Sequence, residues 1–140
     1  MTQRRVYQLS KPYFVTTNCF DHYPFFCNSL FVKTLSKNIF KFSNDYKFRL
    51  YSYSIMPDHL HLLLEASQDF NISRIIGAIK SKTAHELYKA ELLETKLWHP
   101  RFSSRIINSK EEFWIKMRYI RNNSAGLESK YQEMPYLHLG

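Results

Sequence analysis

The stretch YSYSIMPDHLHLLLE, residues 51–65, decides how the rest of the chain is read. Its centre is His59-Leu60-His61, two imidazoles separated by one leucine, directly after the turn residues Met56-Pro57-Asp58. On a strand, side chains repeat every second residue, so His59 and His61 share one face while Leu60, Leu62 and Leu64 share the other. Three consecutive leucines, 62–64, anchor such a strand in a core. The pair is then a rigid platform of nitrogen donors, the kind of support a metal site needs.

Upstream, residues 47–56 alternate strongly, with Phe48, Leu50, Tyr51, Tyr53 and Ile55, and Pro57-Asp58 turns this run into the histidine strand as a hairpin. Before it, Leu30, Val32, Leu35, Ile39 and Phe42 fall at helical spacing over 29–42, with Lys33, Lys37 and Lys41 in a row that reads as a solvated face. Earlier still, the β-branched and aromatic run YFVTT, 13–17, predicts a first strand. Downstream, Ile72, Ile75, Ile76 and Ile79 predict a second helix within 70–93. Pro100 interrupts before RFSSRII, 101–107, a fourth strand. Ser109 followed three residues later by Glu112 is a capping box that opens a last helix to about Asn123, with Phe113, Met117 and Ile120 as its apolar stripe. The tail from 127 to 140 has no clear periodicity.

Strand, helix, strand, strand, helix, strand, helix predicts an α+β fold, a ferredoxin-like βαββαβ sandwich with an antiparallel sheet and a C-terminal helix. Helices cover one face of the sheet. The last helix, a second subunit or bound nucleic acid could each cover the other. The 140 residues fit one domain, 1–140, with 44% hydrophobic residues, ten Tyr, eleven Phe and only three Gly. No apolar run nears the roughly 20 residues that cross a bilayer, and the N-terminus lacks the apolar core of a signal peptide, so a cytoplasmic protein with no membrane partner is expected. Cys19 and Cys27 have no redox or zinc-ligand spacing. A formal charge of +8 points to a polyanionic partner, nucleic acid first, with a merely solvated basic surface as the equal alternative from charge alone.

Two imidazoles leave most of a metal's coordination shell open, and the amide oxygen of Asn123 can add a third, harder ligand. Such an open ion suits polarising a phosphodiester. Tyr119 lies one helical turn before Asn123, on the polar side shared with Glu112 and Lys116, so both can project toward one point. A tyrosine phenolate attacks phosphorus and is displaced again, which makes strand breakage reversible without a nucleoside triphosphate. The plainer alternatives are an edge-of-core aromatic for Tyr119 and a helix C-cap for Asn123.

Taken together, these residues resemble a known family. IMPDHLHLLLE is similar to the histidine-hydrophobic-histidine (HUH) motif of the single-tyrosine transposases, and RYIRNN to their nucleophile helix. The stretches IIGAIKSKTAHEL and LWHPRFSSRIINSKEEF are similar to the segments between. The resemblance spans about residues 13–127 and is nearest to the REP-associated tyrosine transposases and the transposases of the smallest insertion sequences (insertion sequence 200-like). It implies a ferredoxin-like catalytic domain that cuts and rejoins single-stranded DNA beside a hairpin, through a 5′-phosphotyrosine. It also implies that Tyr119 is the nucleophile, that His59, His61 and Asn123 are metal ligands, and that Mg²⁺ or Mn²⁺ is the cofactor. Some members are homodimers whose tyrosine helix completes the partner's site, and others act as monomers. Many relatives follow the asparagine with proline, where this chain has Ser124 and then Ala125-Gly126.

Arg4, Arg5, Lys80, Lys82, Arg101, Arg105 and Arg118 are the basic residues expected to follow DNA phosphates, with aromatic rings stacking on bases. Two other readings compete. One is a domesticated hairpin-binding protein without catalysis. The other is a cupin-type metalloenzyme, which scarce glycine and long helices disfavour.

Overall fold

The computed structural model describes residues 11–122 and, as backbone, 128–131. Eight regular elements follow one another: β1 (Pro12–Asn18), α1 (Ser29–Asp45), β2 (Arg49–Ile55), β3 (His59–Glu65), α2 (Ile72–Lys89), β4 (Ser103–Ile106), α3 (Lys110–Arg121) and β5 (Glu128–Tyr131). Two short 3₁₀ turns, 20–22 and 25–27, fill the connection from β1 to α1.

The five strands form one antiparallel sheet in the order β4-β1-β3-β2-β5. The predicted ferredoxin-like α+β sandwich is therefore the fold, with β5 added at one edge. β5 comes from the tail that shows no periodicity, and it is built by backbone pairing of Glu128–Tyr131 with Ser52–Ile55. An edge strand needs only its ladder and carries little pattern of its own.

β3 lies in the middle of the sheet, paired with β1 on one side and β2 on the other. Its two faces serve two layers. Leu60, Leu62 and Leu64 are buried with Val15, Tyr53 and Ile55 beneath α1 (Leu35, Ile39) and α2 (Ile75, Ile76, Ile79). Burying a leucine completely contributes roughly 1.5–3 kcal/mol, so these three fix the strand's facing firmly. Leu63 points the other way, into a second cluster with Tyr51, Ile107, Phe113, Met117 and Ile120. The cover for the second face is thus α3, packed by the stripe its sequence shows.

The β2 sequence carries apolar residues at both 50 and 51, which strict alternation does not allow. A bulge resolves this: Leu50 pairs with Leu64 and Ser52 with Leu63, leaving Tyr51 as the extra residue. Tyr51 turns toward α3, its ring edge-on to Phe113 at 4.9 Å and its hydroxyl donating to Glu65 Oε1 at 2.8 Å. Tyr53 returns to the α1 side.

Local chemistry starts each helix. Asn28 accepts from the Leu30 amide, Asn71 from Arg74 and Ser109 from Glu112, each satisfying one orphan N–H of a first turn. The predicted capping box at Ser109 is present in modified form, because the Glu112 carboxylate reaches back to the Asn108 amide. Between α1 and α2 the buried Asn38 amide donates to Thr83 Oγ1 and Glu86 Oε1, both at 3.0 Å. Lys37 and Lys82 pair with Glu86, and Lys41 with Asp45. Burial pushes the Cys19 thiol up to about 12, which removes it from thiolate chemistry near neutrality. Among the described residues no helix is long and apolar enough to cross a membrane.

Candidate active site

The hairpin turn before β3 is held from two directions. Cys19 N–H donates to the Asp58 carbonyl at 2.8 Å, and Phe26 N–H to the Pro57 carbonyl at 3.0 Å. β3 then begins at His59, whose partner on β1 is Asn18, while His61 lies between Thr16 of β1 and Ser54 of β2. Both imidazoles emerge on the α3 side of the sheet, as the parity of Leu63 requires.

The Nε2 atoms of His59 and His61 stand 3.2 Å apart. Each Nδ1 is separately engaged, that of His59 with Asp58 Oδ1 at 2.7 Å and that of His61 with Thr16 Oγ1 at 2.9 Å. An ionised carboxylate only accepts, so Nδ1 of His59 donates to Asp58, an arrangement in which the neutral ring turns its lone pair outward from Nε2. Thr16 can accept from Nδ1–H of His61 or donate to it, and so serves either tautomer. With Nδ1 protonated on both rings, two nitrogen lone pairs converge. Metal-ligating histidines characteristically use their second nitrogen in this way, bonded to a carboxylate or another oxygen. A 3.2 Å separation also suits two donors each about 2.0–2.2 Å from one ion. The donor set therefore fits a divalent cation with an open shell. Among the described residues no group of three or more His, Cys, Asp and Glu side chains converges to hold one. Asn123, the third expected ligand, lies outside the described residues.

Tyr119 stands against His61. Its ring is 5.4 Å from that of His61 and edge-on at 71°, and 6.2 Å from Phe14. Phe14 itself stacks on His61 at 5.2 Å. The helix stripe of Phe113, Met117 and Ile120 is buried, so Tyr119, between the last two, lies at the rim of the interface and is 51% exposed. One turn earlier, Lys116 lays its ammonium 4.7 Å above the Phe14 ring. Sequence reasoning places Tyr119 and the histidines, and the fold brings them together within one chain. It missed Phe14, Thr16 and the orienting role of Asp58. The alternation of YFVTT puts Phe14 and Thr16 on one face, but only the register against β3 shows that this is the histidine face.

The predicted DNA-contacting residues are scattered. Lys80 and Lys82 are on α2, across the sheet from the histidines. Lys80 donates to the carbonyls of His99 and Arg101 at 2.8 and 3.3 Å and braces the loop before β4. Arg105 on β4 pairs with Glu112. Arg101 and Arg118 are exposed, the latter next to Tyr119. Arg4 and Arg5 lie outside the described residues.

His61 is only 6% exposed. Burial, then the neighbouring His59 and Lys116, push its pKa down to about 4. The folded state therefore favours neutral His61, and this contribution is complete above the ordinary value of 6.5 and is lost as pH falls from there toward 4, where only the unfolded chain takes the proton. The slope reaches at most about 1.4 kcal/mol per pH unit. Urea unfolding of chelator-treated protein at pH 7, 6 and 5 should show wild type losing stability faster than His61→Gln. Equal losses would contradict the assignment.

Fold and site together define a class: a ferredoxin-like sheet bearing a strand-borne histidine pair, met on the same face by a helix-borne tyrosine. The family model described as "Transposase IS200 like" matches residues 14–123, and the chain belongs to that family. Among solved structures, a REP-associated tyrosine transposase bound to a REP hairpin aligns with TM-score 0.68 at 21% identity, over 79% of this chain and 64% of that one. This chain thus spans under two thirds of that relative's length. A candidate transposase from Deinococcus radiodurans R1, a crystal structure at 1.90 Å, aligns with TM-score 0.62 at 20% identity, over 81% of this chain and 90% of that one. At these identities the likeness establishes the fold. A search of curated proteins gave no match.

Proposed function

We propose that this chain cuts and rejoins single-stranded DNA next to a hairpin, with Tyr119 as nucleophile. His59, His61 and Asn123 would hold a Mg²⁺ or Mn²⁺ ion, which when bound would supply polarisation of the scissile phosphodiester. The observation that carries this reading is the contact within a single chain between Tyr119 and His61, at 5.4 Å, beside the convergent Nε2 pair. Membership of the transposase family and the net charge of +8 support a DNA substrate. Because the tyrosine ring meets His61 of its own chain, we read the site as assembled within one protomer.

The phenol oxygen of Tyr119 attacks phosphorus, and the bond from phosphorus to the 3′-oxygen breaks. The phenol proton passes through solvent to the departing oxygen. A free 3′-hydroxyl and a 5′-phosphotyrosine remain, and attack by a 3′-hydroxyl reverses the step. Asp58 and Thr16 keep the imidazoles oriented throughout.

The test uses hairpin oligonucleotides with single-stranded flanks, taken from DNA adjacent to the gene and incubated with Mn²⁺ or with chelator. A denaturing gel should show a covalent adduct with Mn²⁺ only, and peptide mapping should place it on Tyr119. His59→Ala should lose Mn²⁺ affinity at least about tenfold with the fold intact. Hairpin binding with no adduct under any of these conditions would favour the domesticated binder instead.

A further inference from the structure

We propose that Lys116 is a further catalytic residue, its ammonium contacting a non-bridging oxygen of the scissile phosphate as Tyr119 attacks. This rests on the strand-transfer reading above. Lys116 and Tyr119 are three residues apart on α3 and so lie on one side of the helix, one turn from each other. The ammonium is 4.7 Å above Phe14, and Phe14 touches both His61 and Tyr119.

What frees Lys116 for this work is the occupation of its neighbour. Glu112, one turn before, would be the natural ion-pair partner at i, i+4. Instead its two carboxylate oxygens accept from the Arg105 guanidinium and the Asn108 amide. Among the described residues Lys116 makes no ion pair within 4.0 Å. Half-buried on the Phe14 ring and one turn from Tyr119, the ammonium feels the Glu112 carboxylate only through space and, among the described residues, has no anion in direct contact.

The reaction supplies one. As the phenol oxygen bonds to phosphorus and the 3′-oxygen leaves, the non-bridging oxygens carry more charge than in the diester, and an N–H donor already in place stabilises that state preferentially. Lys116 neither gains nor loses a proton in this role.

Lys116→Met separates charge from packing, because methionine keeps an unbranched apolar stem over Phe14. With the same hairpin oligonucleotides and Mn²⁺, single-turnover cleavage by Lys116→Met should fall about 10²-fold, while hairpin Kd stays within about threefold of wild type. Lys116→Arg should recover cleavage to within about tenfold. Cleavage by Lys116→Met at the wild-type rate would overturn the assignment and leave the lysine a packing element. A loss of binding as large as the loss of cleavage would also overturn it, making Lys116 a general phosphate contact. No adduct from wild type would instead overturn the strand-transfer reading, and this assignment with it.

Discussion

Tyr119→Phe should bind hairpin DNA as wild type does, melt at nearly the same temperature, and form no covalent adduct. Its ring is half exposed, and its contacts with His61 and Phe14 are made by the ring, which phenylalanine retains. Exposed substitutions that spare packing usually change stability by less than about 0.5 kcal/mol. The hydroxyl, by contrast, supplies the bonding atom, and no second nucleophile on the described helix stands against His61. Loss of a nucleophile costs rate by at least about 10³-fold. Single-turnover cleavage with Mn²⁺, scored on a denaturing gel beside thermal melts, checks both halves. An undiminished adduct in Tyr119→Phe would remove the nucleophile assignment.

Phe113→Ala should lose about 3–5 kcal/mol, the usual cost of emptying a buried aromatic position. For a chain of this length that lowers Tm by roughly 10–20 °C. Phe113 is fully buried, edge-on to Tyr51, and sits at the start of the stripe that docks α3. Since α3 also carries Tyr119, cleavage per folded molecule should fall as well. Leu35→Ala, in the cluster on the other face, is the matched control. It should lose 2–5 kcal/mol but retain cleavage per folded molecule. Urea unfolding with adduct yields corrected for folded fraction makes the comparison. Equal corrected yields would mean that α3 positions Tyr119 without help from Phe113.

Much of the fold was legible because its signals are local. The isoleucines of α2 repeat at helical spacing, Ser109 and Glu112 mark where α3 starts, and the single leucine between His59 and His61 fixes their common face. What stayed hidden depends on contacts between distant segments. The cover for the second face was open among three choices, and α3 is recognised as that cover only when Phe113 is seen against Tyr51. The bulge at Tyr51 has a trace in the adjacent apolar residues 50 and 51, yet its position is set by pairing with β3. β5 has no pattern to read. At the site, Thr16 and Phe14 belong to β1, and nothing in YFVTT says that β1 lies against the histidine strand. Lys116 is polar on a polar face, and its orientation follows from what Glu112 does with Arg105 and Asn108.

The extra residue in β2 has a consequence for how such chains can diverge. Tyr51 and Tyr53 are two positions apart yet serve opposite layers, one beneath α3 and the other beneath α1. A change of amino acid there alters one contact, whereas a change in the number of residues swaps the layers for everything on one side of it. Length is therefore the guarded quantity between residues 49 and 65, and alignments of chains that share this arrangement should run through it without gaps. Insertions and deletions belong in exposed connections such as 94–96, where no two-sided strand has to keep count.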